Sequence, residues 1–230
     1  MNIAGFQKLT LLDFPGKTAA TLFTPGCNFR CPFCHNASLV LRTDETEHYG
    51  EEEVLSYLKK RAGILDGICI TGGEPLLQKD IADFMVRVRE LGYQIKLDTN
   101  GQNPEKLREL VKAGLVDYVA MDIKNSKERY AETVGIDGFD TKRVEESVSY
   151  LLSGAVDYEF RTTVVREFHT VEDIENLASW IRGAKRYFLQ NFVDSGDLIG
   201  RDLSAQNPET LDSMRKTAEK YIDVVGVRGV

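Results

Sequence analysis

Six short runs rich in Ile, Val, Tyr, Phe and Thr recur at positions 19–24, 67–71, 94–99, 118–123, 158–165 and 187–193, and a helix-period segment follows each of them. The helical segments 51–61, 79–91, 105–113, 140–152 and 171–182 place apolar residues three and four apart, as Leu107, Leu110 and Val111 do. A shorter helical stretch covers 127–133, and Pro208 is a first-turn proline for a last helix running to about residue 221. Strands that alternate with helices in this way build a parallel sheet from right-handed βαβ units, so the fold class is α/β. Six such units fit a partial (β/α)6 barrel of the TIM type, because a closed eight-stranded barrel takes about 250 residues and two more units. No linker rich in Pro, Gly or Ser and no short repeat divides the sequence, so residues 1–230 read as one domain. The polar, charged stretch 41–50 reads as a surface loop.

A parallel α/β architecture puts ligands at the carboxyl ends of its strands. Polar groups gather at those ends here. Thr71-Gly72-Gly73-Glu74 closes the second run and Asp98-Thr99-Asn100-Gly101 the third. Asp122 and Lys124 end the fourth, Arg161 and Arg166 lie on or after the fifth, and Gln190 and Asn191 lie in the sixth. Polar residues also mark ordinary loops, but so many such ends beside one cysteine cluster point to a shared site.

That cluster is Cys27-Asn28-Phe29-Arg30-Cys31-Pro32-Phe33-Cys34-His35, on the loop that leaves the first run through Thr24-Pro25-Gly26. Three soft thiolates within eight residues suit an iron–sulfur cluster, zinc or copper(I). Structural zinc needs a closed set of four ligands, and only Cys69 and the histidines are left to supply the fourth. Cys31-Pro32-Phe33-Cys34-His35 also matches a c-type haem attachment pattern, and Cys31 with Cys34 matches a redox dithiol. Both readings leave Cys27 without a role. Cysteines that merely pack fit poorly in so polar a loop. A four-iron cluster held by three cysteines leaves one iron open, which is the arrangement of a catalytic centre rather than a structural one. Cys69, inside an apolar strand, reads as a core residue rather than a fourth ligand.

The C-x3-C-x2-C spacing with Phe33 between the last two cysteines resembles the radical S-adenosylmethionine (SAM) superfamily. Thr71-Gly72-Gly73-Glu74-Pro75 resembles its second motif. Leu97-Asp98-Thr99-Asn100-Gly101 and Met121-Asp122-Ile123-Lys124 are similar to the glycyl-radical-enzyme activating proteins. The length resembles the small activating proteins of anaerobic ribonucleoside-triphosphate reductase. The resemblance covers residues 6–193 and leaves the last thirty or so without a match.

The resemblance implies that Cys27, Cys31 and Cys34 hold a [4Fe-4S] cluster whose open iron chelates SAM. One-electron reduction then gives methionine and a 5′-deoxyadenosyl radical, which takes a hydrogen atom from the substrate. It makes Gly72, Gly73 and Glu74 the region contacting the methionine ammonium, with Asp98 beside it. Asp122 would accept from the ribose hydroxyls, Lys124 would meet the methionine carboxylate and Phe33 would lie against adenine. His35 and Asn36 flank the cluster loop as hydrogen-bonding support, and Arg161 and Arg166 are further candidates. Related activating proteins often carry a ribose-binding histidine near the end of the sixth strand. None stands in Leu189-Gln190-Asn191-Phe192-Val193, so Gln190 or Asn191 is the candidate replacement.

The substrate this implies is a glycine of a glycyl radical enzyme, with anaerobic ribonucleoside-triphosphate reductase foremost and a flavodoxin or ferredoxin as electron donor. Four cysteines leave too few for an auxiliary cluster. A small partial barrel also leaves a lateral opening for a partner's loop. Two other readings stand beside this one. One is radical chemistry on a small molecule, such as a deazapurine-type ring rearrangement. The other is a non-catalytic iron–sulfur electron-transfer module. With 29 Lys and Arg against 36 Asp and Glu, the formal charge is -7, which speaks against a nucleic-acid partner. No apolar run approaches the ~18 residues of a membrane span, and no secretory signal opens the sequence, so the expected compartment is the cytoplasm.

Overall fold

The computed structural model of the chain describes residues 1–229. Eight strands, β1 (Gly5–Thr10), β2 (Ala19–Thr24), β3 (Gly67–Gly72), β4 (Gln94–Thr99), β5 (Tyr118–Asp122), β6 (Asp157–Val164), β7 (Tyr187–Asn191) and β8 (Val225–Arg228), follow sequence order in the sheet. The helices are α1 (Ala37–Leu41), α2 (Glu51–Lys60), α3 (Ile81–Glu90), α4 (Pro104–Lys112), α5 (Tyr130–Val134), α6 (Lys142–Leu152), α7 (Val171–Trp180) and α8 (Pro208–Ala218). The six strands read from the sequence are β2 to β7, so the α/β class and the parallel βαβ order hold. The chain forms two compact units: Met1–Asn28, Ser38–Thr99 and Glu105–Val119 in the first, and Phe29–Ala37, Asn100–Pro104 and Ala120–Val230 in the second. No helix among the described residues is long and apolar enough to cross a membrane.

In the first unit β2, β3 and β4 are parallel and in register, Ala19 opposite Gly67 and Gly67 opposite Gln94. Ala19, Ala20, Leu22, Ile68, Ile70, Ile95 and Leu97 are fully buried, as strands covered on both faces require. Helices α2 and α3 supply Val54, Leu58, Phe84 and Met85 to that core. β1 is antiparallel to β2 and its register shifts between Gln7 and Thr10. The sequence reading did not place β1, because Gly5-Phe6-Gln7-Lys8-Leu9-Thr10 is mostly exposed and lacks the apolar signature of an inner strand. The stretch 41–50 contains the end of α1 and a 3-10 turn at Thr43–Glu45, and Tyr49 bridges to Ile3.

In the second unit β6, β7 and β8 are parallel, Phe160 opposite Tyr187 and Tyr187 opposite Val225. Tyr158, Phe160, Tyr187 and Leu189 fill its core with Val144, Val148, Ile174 and Leu177 of α6 and α7. Thr170 and Asp173 form a reciprocal capping box that starts α7. Pro208 opens α8 as read from the sequence, with Asn207 accepting from the Thr210 N–H. β8 was not expected, since four residues near the C-terminus carry too short a pattern to register.

Candidate active site

In the first unit, the chain leaving β3 zips onto the chain leaving β2. The Gly73 N–H donates to the Thr24 carbonyl at 2.8 Å and the Glu74 N–H to the Gly26 carbonyl at 2.7 Å. The glycines answer a steric demand. Gly72 has φ +125°, and a Cβ there would fall 2.2 Å from the Thr24 nitrogen, while one on Gly73 would fall 2.0 Å from the Gly26 oxygen. This brings the Gly-Gly-Glu turn directly against the backbone that carries Cys27. Glu74 is 2% exposed. Its carboxylate accepts from the Leu76 N–H at 3.1 Å and from the Thr99 hydroxyl at 2.8 Å. It therefore caps the 3-10 turn Pro75–Leu77 and braces the end of β4. Asp98, near the same end of β4, pairs with the Lys96 ammonium, and the Cys69 sulfur lies 3.6 Å from both Asp98 Oδ1 and Lys96 Nζ.

In the second unit, the rest of the cysteine loop is tied down from two sides. The Arg30 N–H donates to the Val134 carbonyl at 2.9 Å, and Gly135, in the left-handed region at φ +66°, leaves room for the Arg30 carbonyl. The segment after β7 closes the other side. Its Gly200 N–H donates to the Pro32 carbonyl at 2.7 Å, its Ser195 hydroxyl donates to the His35 carbonyl at 3.3 Å, and its Asp197 carbonyl accepts from the Ala37 N–H at 3.4 Å. Cys31 is buried, whereas Cys34 and Cys27 are half-buried. Phe33, 3% exposed, packs its ring 5.8 Å from Phe168 and 6.2 Å from His169. The His35 ring lies 5.5 Å from Phe192, and Asn36 is half-buried.

Asp122 and Lys124 leave β5 beside Arg161 of β6. Asp122 takes Arg161 Nε at 2.9 Å on one oxygen and Lys124 Nζ at 2.9 Å on the other. Burial alone would raise the Asp122 pKa, but the two cations outweigh it and hold the carboxyl far below its usual range. Burial likewise works against the Lys124 ammonium, and Asp122 together with Cys31 overturns it, so Lys124 stays protonated. Asp122 thus lies between two cations, with Cys31 near Lys124. His35 has its pKa lowered by partial burial and by Lys124, with Asp194 opposing.

Arg166 and Asn191 have partners on the segment after β7. Arg166, on an exposed turn, donates to the Ser204 hydroxyl at 2.7 Å and pairs with Glu167. The Asn191 amide mimics a strand partner, donating to the Gln206 carbonyl at 3.1 Å and accepting from its N–H at 2.9 Å. Gln190, the other candidate of this strand, lies half-buried on β7 in register with Arg228. Three features escaped the sequence reading. One is Lys96, visible only as a charge inside an apolar run. Another is His169, 1% exposed, whose Nδ1 accepts from the Val165 N–H at 3.1 Å while Nε2–H donates to the Lys124 carbonyl at 2.8 Å. The last is the 195–200 segment, whose role lies in its backbone and has no residue signature.

The sequence matches the radical SAM superfamily over residues 21–181. A protein of Methanocaldococcus jannaschii, assigned by inference as a glycyl-radical enzyme activating enzyme, is 35% identical over 99% of this chain and 96% of its own length. The pyruvate formate-lyase-activating enzyme of Clostridium pasteurianum is 27% identical over 96% of both chains. Among solved structures, Streptococcus suis SuiB bound to S-adenosylmethionine superposes with a TM-score of 0.69 at 16% identity, over 91% of this chain and 52% of that one. The chain thus spans about half the length of that structure, and the likeness establishes the fold. The chain belongs to the radical SAM superfamily, whose enzymes work with a [4Fe-4S] cluster and S-adenosylmethionine.

Proposed function

We propose that this chain is a glycyl-radical-enzyme activating enzyme, in which Cys27, Cys31 and Cys34 hold the [4Fe-4S] cluster. The donor set fits that group, being three soft thiolates on one loop fastened by its backbone. When bound, the cluster and SAM supply one-electron cleavage of the sulfonium and, from it, the power to abstract hydrogen. The chain's own residues bind and orient. The Gly72-Gly73 turn and Asp98 receive the methionine ammonium, with Glu74 bracing the turn from behind. Lys124 receives the methionine carboxylate, held charged by Asp122 and assisted by Arg161. Asp122 serves the ribose as well, and Phe33 forms the apolar wall on the adenine side. His35 and Asn36 support the loop, and Gln190 serves in place of the absent histidine.

The single observation that carries this reading is the Lys124 ammonium, kept protonated between Asp122 and Cys31. A fixed positive charge near Cys31 supports the reading that Lys124 meets the methionine carboxylate. Agreement over nearly the full length with a relative assigned to glycyl-radical enzyme activation supports the class of substrate. Within that class we assign anaerobic ribonucleoside-triphosphate reductase as the partner, a flavodoxin or ferredoxin as the donor and the cytoplasm as the compartment. The test is anaerobic mixing of reduced, reconstituted protein with SAM and candidate glycyl radical enzymes, read by electron paramagnetic resonance. A glycyl radical on the reductase and none on a pyruvate formate-lyase establishes the assignment. A radical on the lyase alone corrects the partner. SAM cleavage with no protein radical on either overturns the activase reading.

A further inference from the structure

A parallel strand covered on both faces ordinarily carries aliphatic side chains, yet Lys96, in the middle of β4, is 1% exposed. It stands opposite Cys69 in the register of β3 and β4. Residues two apart on a strand project to one face, so Lys96 and Asp98 share a side. Their ammonium and carboxylate form an ion pair, and the Cys69 sulfur lies 3.6 Å from each partner. Withdrawing a lysine ammonium from water is costly, and the cost is recovered only against an ionised, well-placed partner. Each charge therefore holds the other in its ionised form and in one place.

The pair is asymmetric. The Lys96 side chain is 2% exposed and that of Asp98 13%. Its more exposed end is the carboxylate, near the carboxyl end of the strand, where parallel α/β folds bind ligands. The cation is the buried foundation. Asp98 has little freedom to turn away: Oδ1 meets Lys96 Nζ and the Cys69 thiol together.

We propose that Lys96 is a positioning residue for SAM, fixing the charge and direction of Asp98 so that the carboxylate is already set to receive the methionine ammonium. Lys96 does not touch SAM. Cys69 steadies the same oxygen and is no cluster ligand. The inference rests on the reading of Asp98 given under Proposed function.

A double-mutant cycle tests it. Wild type, Lys96→Met, Asp98→Asn and the double variant are reconstituted anaerobically. The SAM dissociation constant is read from the change SAM makes in the cluster's electron paramagnetic resonance spectrum, and the melting temperature is taken from the same samples. Lys96→Met is expected to weaken SAM binding about tenfold in the wild-type background and less than about twofold in the Asp98→Asn background, because a residue acting through another loses its effect when that other is gone. Equal losses in both backgrounds, or unchanged or tighter binding by Lys96→Met while Asp98→Asn binds weakly, would overturn the positioning role. If Asp98→Asn binds SAM like wild type, the reading of Asp98 itself fails, which is a separate result. Should Lys96→Met not fold or not take up iron, Lys96→Gln, which keeps a donor but no charge, is carried through the same cycle.

Discussion

Glycine at position 73 is required by a neighbouring backbone, since a Cβ there would overlap the Gly26 carbonyl oxygen at 2.0 Å. That neighbour is main chain and cannot swing aside. Gly73→Ala should therefore cost about 1–3 kcal/mol, the usual range for overpacking. It should also lower iron uptake by shifting the segment that carries Cys27. Calorimetry and iron analysis of the reconstituted variant check this, and an unchanged melting temperature would show that the two segments do not need to meet so closely. His169 makes a second residue-scale case. Its hydrogen bonds fix the neutral ring with the proton on Nε2, and burial lowers its pKa even though the two carbonyls beside it favour the cation. The unfolded ring titrates near ~6.5, so below that pH the unfolded chain binds the proton more readily. The stability due to His169 is then complete above about pH 6.5 and falls as the pH drops toward the folded value. Asp122 has the depressed pKa of a paired carboxylate, and its contribution fades only below about pH 4. Between about pH 7.5 and 5.5 the melting temperature should fall, and His169→Gln should flatten that slope. An equal slope in the variant would assign the effect elsewhere, with His35 the next group to examine because its pKa is shifted the same way.

Elements differ in how openly their sequences announce them. The inner strands β2 to β5 declare themselves by apolar runs. The helices α2, α3, α4, α6 and α7 do so by their periodicity and α8 by Pro208 following Asn207, whereas the five-residue α1 is too short to show a period. β1 and β8 give no such signal, because an edge strand half-open to water has no need of a continuous apolar run. A long-range ion pair adds to the pairing of β8 with β7. Arg228 reaches past β7, its guanidinium 3.6 Å from the centre of the Phe188 ring, to place two nitrogens at 2.8 and 3.0 Å from the oxygens of Glu159 on β6. Glu159 is 1% exposed, so removing Arg228 takes away the bidentate partner of a buried carboxylate. Arg228→Ala should lower unfolding stability by about 3–5 kcal/mol, and replacing both partners with apolar residues of similar size should restore much of it. Denaturant unfolding decides the matter: a loss below about 1 kcal/mol would mean that the pair behaves as an ordinary surface bridge. The sequence shows Glu159 only as a charge in a strand and Arg228 only as one more basic residue near the end. Their meeting depends on the order β6-β7-β8, which no local pattern encodes.

Across the whole molecule, the sequence marks where polar groups accumulate but not where their side chains turn. The Gly-Gly-Glu and Asp-Thr-Asn-Gly stretches stand at strand ends, as their turn chemistry requires. Yet Glu74 turns inward to cap and brace, Arg166 leans on Ser204, and the Asn191 amide is spent on Gln206. Residue type and spacing fix a position along the chain, whereas direction follows from packing with segments far away in sequence. The cysteines are the one place where spacing alone reaches chemistry, because four thiols divide cleanly into three on one loop and one within a strand. Cys69, 0% exposed, is occupied with Lys96 and Asp98. The chain should therefore assemble one cluster and no more. Anaerobic reconstitution should give about four irons and four sulfides per chain. Cys27→Ala, Cys31→Ala and Cys34→Ala should each lose most of that iron together with the cluster's absorption. Cys69→Ala should keep the full complement, its cost confined to a small loss of stability from the space left beside Lys96. Full iron in any of the first three variants, or none in Cys69→Ala, would show that the ligand set is not the loop's own three thiols.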